Sequence, residues 1–176
     1  MINRHSSAAV IAAASLLSLS ACAGRDGAPR TEVAPVAAET ISYEVGPCFG
    51  FCPVYNAAIT SHGQVTFDGL RHTATLGRKS LTLDAAAYRA FATQLASYRP
   101  AAGTTAETAC TTRISDQQHY RIVWTTSDGT VTTLEHDRGC RSERNDALNA
   151  VLQGAAEHLK IDEFARQLTR PGFSRG

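Results

Sequence analysis

Residues 46–69 read GPCFGFCPVYNAAITSHGQVTFDG. Two cysteines, Cys48 and Cys52, enclose Phe49-Gly50-Phe51, and from Pro53 onward the pattern changes to that of paired strands. Tyr55–Thr60 and Gln64–Asp68 are short runs joined by Ser61-His62-Gly63. Gly63 can take positive φ, which is hairpin turn chemistry. Val65 and Phe67, two residues apart, share one face of the second strand.

The flanking sequence extends this sheet. Ile41–Val45 alternates apolar and polar positions and reads as a strand. Gly69 breaks the run after the hairpin, and Arg71–Leu76 is expected to continue the meander. Residues 82–95, TLDAAAYRAFATQL, predict a helix capped by Thr82 or Asp84, with Tyr88, Phe91, Ala92 and Leu95 on one face. Pro100 marks its end, and Arg99–Ala106 reads as a loop. The second half follows a similar plan. Thr111–Ile114 suggests a short strand, and His119–Thr126 and Thr130–Glu135 form a hairpin around Ser127-Asp128-Gly129. Ser142 then caps a helix to Leu159 whose apolar face holds Leu148, Val151, Leu152, Ala155 and Leu159. Gly154 interrupts that helix at a cost of about 1 kcal/mol relative to Ala. Tyr55, Gly63 and Val65 are echoed by Tyr120, Gly129 and Val131, which raises an internal duplication. The fold class expected is α+β: an antiparallel sheet of hairpins with two helices packed on one face, in the order βββ(β)α-β(β)βα.

The N-terminus locates the chain. Arg4 and His5 precede an apolar run, Ala8–Leu19, which ends Leu19-Ser20-Ala21-Cys22-Ala23. A basic start, a short apolar core and small residues at its end make an export signal. The run is too short for a membrane span, which needs about 20 residues. Leu-Ser-Ala-Cys resembles a bacterial lipobox, so residues 1–21 are expected to be removed and Cys22 to carry lipid. The plainer alternative is a secretory signal cut near Ala21 or Ala23. Ala23, where an Asp would retain the protein, resembles lipoproteins sorted to the outer membrane, facing the periplasm. Residues 22–40 are rich in Pro and Ala and read as a tether; 41–168 is the length of one domain; 169–176 is a tail. Without Arg4 the remaining 16 Lys and Arg balance 16 Asp and Glu. A neutral chain in the envelope argues against a nucleic-acid partner.

Four cysteines remain: Cys48, Cys52, Cys110 and Cys140. An even number in an oxidising compartment points to disulfides. Cys48–Cys52 with Cys110–Cys140 is favoured. The two pairings that join Cys48 and Cys52 separately to Cys110 and Cys140 stay open. As an alternative, Cys48 and Cys52 could serve thiol redox chemistry, or hold copper or zinc with His62. Redox pairs, however, have two intervening residues at a helix start, and here three precede a strand.

No H-E-x-x-H, G-x-S-x-G or phosphate-binding Gly loop is present. His136-Asp137 lacks a nucleophile and, on a strand, its members point to opposite faces. Both are expected at the surface near a turn. Asp116 suits an Asx turn. No catalytic residue, cofactor or metal ligand is assigned. Phe49 and Phe51 are the candidate contact residues, because aromatics exposed on a rigid loop make protein anchors.

Cys48, Phe49, Gly50, Cys52, Pro53, Tyr55, Gly63, Val65 and Gly69 together resemble the signature of a bacterial family known as domain of unknown function 6438. The resemblance covers Ile41 to about Leu159 and implies an exported protein, often a lipoprotein. It aligns Asp116 with an Asp that follows the mid-domain loop. Relatives often carry the first cysteine pair without the second, which favours a Cys48–Cys52 bond. The family brings no activity or ligand. The function expected is therefore an envelope lipoprotein with a disulfide-stapled, non-enzymatic binding or structural domain. Its partners would be the membrane, through its lipid, and another envelope component. A third expectation, a small-ligand site on the open sheet face, would require a deep apolar pocket.

Overall fold

The structure is a computed structural model and describes residues 38–168. The expected signal segment, Cys22, most of the expected tether and the expected tail lie outside the described residues.

Seven strands form one sheet in the order β4-β3-β2-β1-β6-β7-β5. They are β1 (Glu39–Val45), β2 (Val54–Thr60), β3 (Gln64–Arg71), β4 (Gly77–Thr82), β5 (Thr105–Glu107), β6 (His119–Thr126) and β7 (Val131–Asp137). Helices α1 (Ala85–Leu95) and α2 (Glu143–His158) pack on one face, and a short helix α3 (Asp162–Ala165) follows. β1 is the centre: Tyr43 lies opposite Ala57 of β2 on one side and Ile122 of β6 on the other. Every pairing is antiparallel except β5 with β7, a three-residue parallel edge.

Alternation along each strand sends one set of side chains to the helices. Ile41, Tyr43, Ile59, Val65, Phe67, Ile122 and Trp124 are all buried there, against Phe91 and Leu95 of α1 and Leu148 and Leu152 of α2. The expected helix faces are thus the core faces. Asp84 caps α1 by accepting the Ala86 N–H at 2.6 Å, and Ser142 caps α2 by accepting the Asn145 N–H at 3.1 Å. The Tyr43 hydroxyl donates to the Leu152 carbonyl at 2.6 Å, joining sheet to helix inside the core. Glu39, nearly buried, accepts from Tyr88 and from Arg99, each at 2.6 Å, and so holds the start of β1 against α1 and the segment after it.

Several local expectations change. The sheet begins at Glu39, two residues before the expected domain start. The expected strand at Arg71–Leu76 is displaced: residues 72–76 fold back over Gly69, and the fourth strand is Gly77–Thr82. A Cβ on Gly69 would lie 1.9 Å from the Thr75 carbonyl oxygen, so this crossing requires glycine. Thr111–Ile114 shrinks to a single antiparallel bridge, Arg113 opposite Cys140, made by Ile114 N–H to Gly139 O and Arg141 N–H to Thr112 O, both 2.9 Å. The loop expected over Arg99–Ala106 runs into β5. The two halves differ in how they pair: β1 pairs antiparallel with the first strand of its hairpin, whereas β5 pairs parallel with the second strand of its own.

Candidate functional site

Antiparallel pairing brings the C-terminal ends of β1, β3 and β7 and the N-terminal ends of β2, β4 and β6 to one end of the sheet. Both disulfides sit there, Cys48–Cys52 and Cys110–Cys140; this end is called the cysteine pole. The turns at 61–63 and 127–130 lie at the other end, with Glu39.

The loop of residues 46–53 is fixed from several directions. Gly50, at φ 144°, completes a turn that an L side chain rarely adopts. Gly46 donates to the His119 carbonyl at 2.8 Å, and the amide of Gln118, a buried side chain, donates to the carbonyls of Gly46 and Pro53 at 3.2 and 2.9 Å. Phe49 donates through its backbone to the Asp116 carbonyl at 3.2 Å, and the Gln167 amide donates to the Phe51 carbonyl at 2.6 Å. The Phe51 ring packs on the His72 ring, centroids 3.9 Å apart. His72 and Asp116 are two of the three described non-glycine residues with positive φ, at 61° and 67°. Such conformations cost about 1 kcal/mol or more each, and both are spent beside this loop.

The outcome for the two aromatics is unequal. Phe51 is tucked against His72, whereas Phe49 is 87% exposed. Leu70, Leu76, Ile114 and Leu168 are also exposed at this pole; of the described exposed large hydrophobics only Val131 lies at the other end.

The second disulfide joins an exposed Cys110 to a buried Cys140 at the end of β7. Beside it, His136 corrects the sequence expectation. It is buried, not at the surface, because it faces α2 from β7. Its Nε2 lies 2.9 Å from the Asn149 Oδ1 and its Nδ1 2.8 Å from the Thr108 hydroxyl. Asn149 uses its own amide N–H on the Arg138 carbonyl, so Nε2–H donates to Asn149 and Nδ1 accepts from Thr108. That arrangement suits the neutral ring, and burial, the largest influence, holds the pKa below its usual value. Asp137 turns to the other face, where it accepts the Gly139 N–H at 2.7 Å and pairs with Arg113 at 3.2 Å. The two do not form an acid–base dyad.

The other histidines do not gather with the cysteines. His62 is in the turn at the opposite end of β2 from Cys52, a separation of roughly 20 Å along the strand. Among the described residues no group of three or more His, Cys, Asp or Glu is placed to hold a metal. On the open face, register places Arg78, Asp68, Asn56, Glu44, Arg121 and Glu135 in one row across six strands. Arg121 bridges Glu44 at 3.2 Å and Glu135 at 3.0 Å. The groove lined by Ser42, Glu44, Asn56, Thr66, Asp68 and Arg78, together with Ala57, Ala58 and Phe67, is mixed in character and open to solvent, unlike the deep apolar pocket a small-ligand site would need.

Gln118, Gln167 and His72, which hold the loop, were not legible as its partners. Asp116 carried a signal, since Asp tolerates the left-handed region better than most residues. No helix among the described residues is long and apolar enough to cross a membrane.

The pole, the sheet and the two helices define a disulfide-stapled α+β domain of mixed-strand edge and antiparallel centre. Residues 39–157 match the family described as Domain of unknown function (DUF6438), and the chain belongs to that family. Comparison with curated proteins gave no match.

Proposed function

We propose that this chain is a bacterial envelope lipoprotein, lipidated at Cys22 and held at the outer membrane facing the periplasm, whose domain is a non-enzymatic binding module. The observation that carries the reading is Phe49, 87% exposed on a loop that a disulfide and five backbone-directed hydrogen bonds hold in place. A large apolar ring held in water is unfavourable by itself. On a rigid loop it has little conformational freedom left to lose when a partner covers it, which favours association. The lipobox-like ending at Cys22 supports the envelope location.

The test replaces Phe49 with a photoreactive phenylalanine analogue in living cells, with the same analogue at Val131, at the far end of the sheet, as control. The expected result is an adduct from position 49 with another envelope component. Position 49 giving no more adduct than position 131 would overturn the reading. Fatty-acid labelling that depends on Cys22 tests the anchor separately.

A further inference from the structure

The charge around Phe49 points to what it meets. The segments around the Cys48–Cys52 loop, residues 46–53, 68–78 and 166–168, contain three arginines (Arg71, Arg78 and Arg166) against one aspartate (Asp68). The side of the pole around Cys110–Cys140 carries acidic groups as well, with Asp116, Asp137, Asp146 and Glu107 beside Arg113, Arg138 and Arg141. Arg113 pairs with Asp137, and Arg141 with Asp146 at 2.6 Å. Arg71, Arg78 and Arg166 have no ion pair among the described residues and are exposed.

We propose that the cysteine pole docks on an anionic lipid bilayer surface, with Phe49 entering the boundary between headgroups and acyl chains and the surrounding arginines meeting lipid phosphates. This rests on the reading of the pole as a contact surface and names its partner. Exposed aromatic and aliphatic side chains fringed by cations are the composition that lies in a membrane interface. Three exposed arginines without ion partners on the side of the pole that carries Phe49 draw that side toward an anionic surface. The chain's route permits it. Sixteen residues separate Cys22 from Glu39, and such a segment reaches at most roughly 55 Å when extended. β1, which leads from Glu39 to the pole, is only about 20 Å long. The pole can thus turn down onto the same bilayer that holds a lipid at Cys22.

The test uses the mature chain, residues 22–176 with Cys22→Ser, so that neither the signal segment nor an attached lipid contributes, and vesicles of phosphatidylcholine with or without about 30 mol % phosphatidylglycerol. Binding is expected only to the anionic vesicles, and to be lost in about 0.5 M salt. Phe49→Ala should weaken partitioning at least fivefold, and Arg71→Gln and Arg78→Gln about fivefold each. Arg89→Gln on α1 should change nothing. All the altered side chains are exposed, and unchanged thermal unfolding checks that each variant is folded. Equal binding to both vesicles, or binding insensitive to Phe49 and the arginines, overturns the proposal. If the crosslink from position 49 yields a protein while vesicles do not bind, the lipid surface is wrong and the binding module stands. If neither occurs, both fall.

Discussion

The carbonyl of Asp116, held at φ 67°, accepts the backbone N–H of Phe49 at 3.2 Å. A residue in a left-handed conformation thus aims its carbonyl at the cysteine loop from a segment nearly seventy residues away in sequence. Because the acceptor is main chain, the side chain matters through the backbone it tolerates. Asp116→Gly should be neutral or slightly stabilising, by less than about 1 kcal/mol, while Asp116→Val should cost about 1–2 kcal/mol. Chemical denaturation of both variants checks the pair, and similar stabilities would contradict the argument.

Two glycines should respond in opposite directions. A Cβ on Gly154 meets nothing within 4 Å, so Gly154→Ala should stabilise the domain by up to about 1 kcal/mol and raise its melting temperature. A Cβ on Gly69 would strike the Thr75 carbonyl, so Gly69→Ala should destabilise by about 1–3 kcal/mol. Thermal unfolding of the two variants distinguishes them directly.

The disulfides should differ in what they contribute. Chain entropy gives about 3.7 kcal/mol for the loop closed by Cys110 and Cys140 and about 2 kcal/mol for that closed by Cys48 and Cys52. Replacing Cys110 and Cys140 with Ala should therefore cost more stability than replacing Cys48 and Cys52. The second replacement should show itself locally, as faster amide exchange at residues 49–52. Equal losses in both would mean that strain or unfolded-state structure outweighs loop length.

His136 sets a pH dependence. Burial lowers its folded-state pKa first of all; Asn149 and the nearby Asp137 oppose this, and His119 adds to it. The unfolded chain, with a pKa near 6.5, therefore binds the proton more readily than the folded one. Stability is full above that value, falls as pH drops below it, and levels off once the pH passes the lower folded value. His136→Asn should flatten this limb between about pH 7 and 5. Denaturation midpoints across that range, in both proteins, would show an unchanged slope if the histidine were not responsible.

Much of the fold was readable because its signals are local. Gly63 and Asp128-Gly129 mark hairpins, and Tyr88, Phe91 and Leu95 mark a helix face whatever they pack against. What escaped the reading depends on distant chain. β4 carries Arg78, Lys79 and Ser80 on an exposed edge and shows no apolar alternation. β5 is three residues long and exists only because β7 offers it a partner. His136 looks like any turn-proximal histidine until α2 is placed over it. In the candidate site, the sequence singled out the Phe49 and Phe51 pair, but not that His72 would take one and leave the other in water.

The place of β1 in the sheet has a mechanical consequence. The chain enters at Glu39, and β1 runs from there directly toward the cysteine pole with a ladder of hydrogen bonds on each side. A pull at Glu39 that is resisted through the pole ends of β3 and β6 acts along the strand axis. It loads both ladders in shear, so their bonds must yield together instead of unzipping one at a time. The first strand of the domain is also the one placed to bear tension.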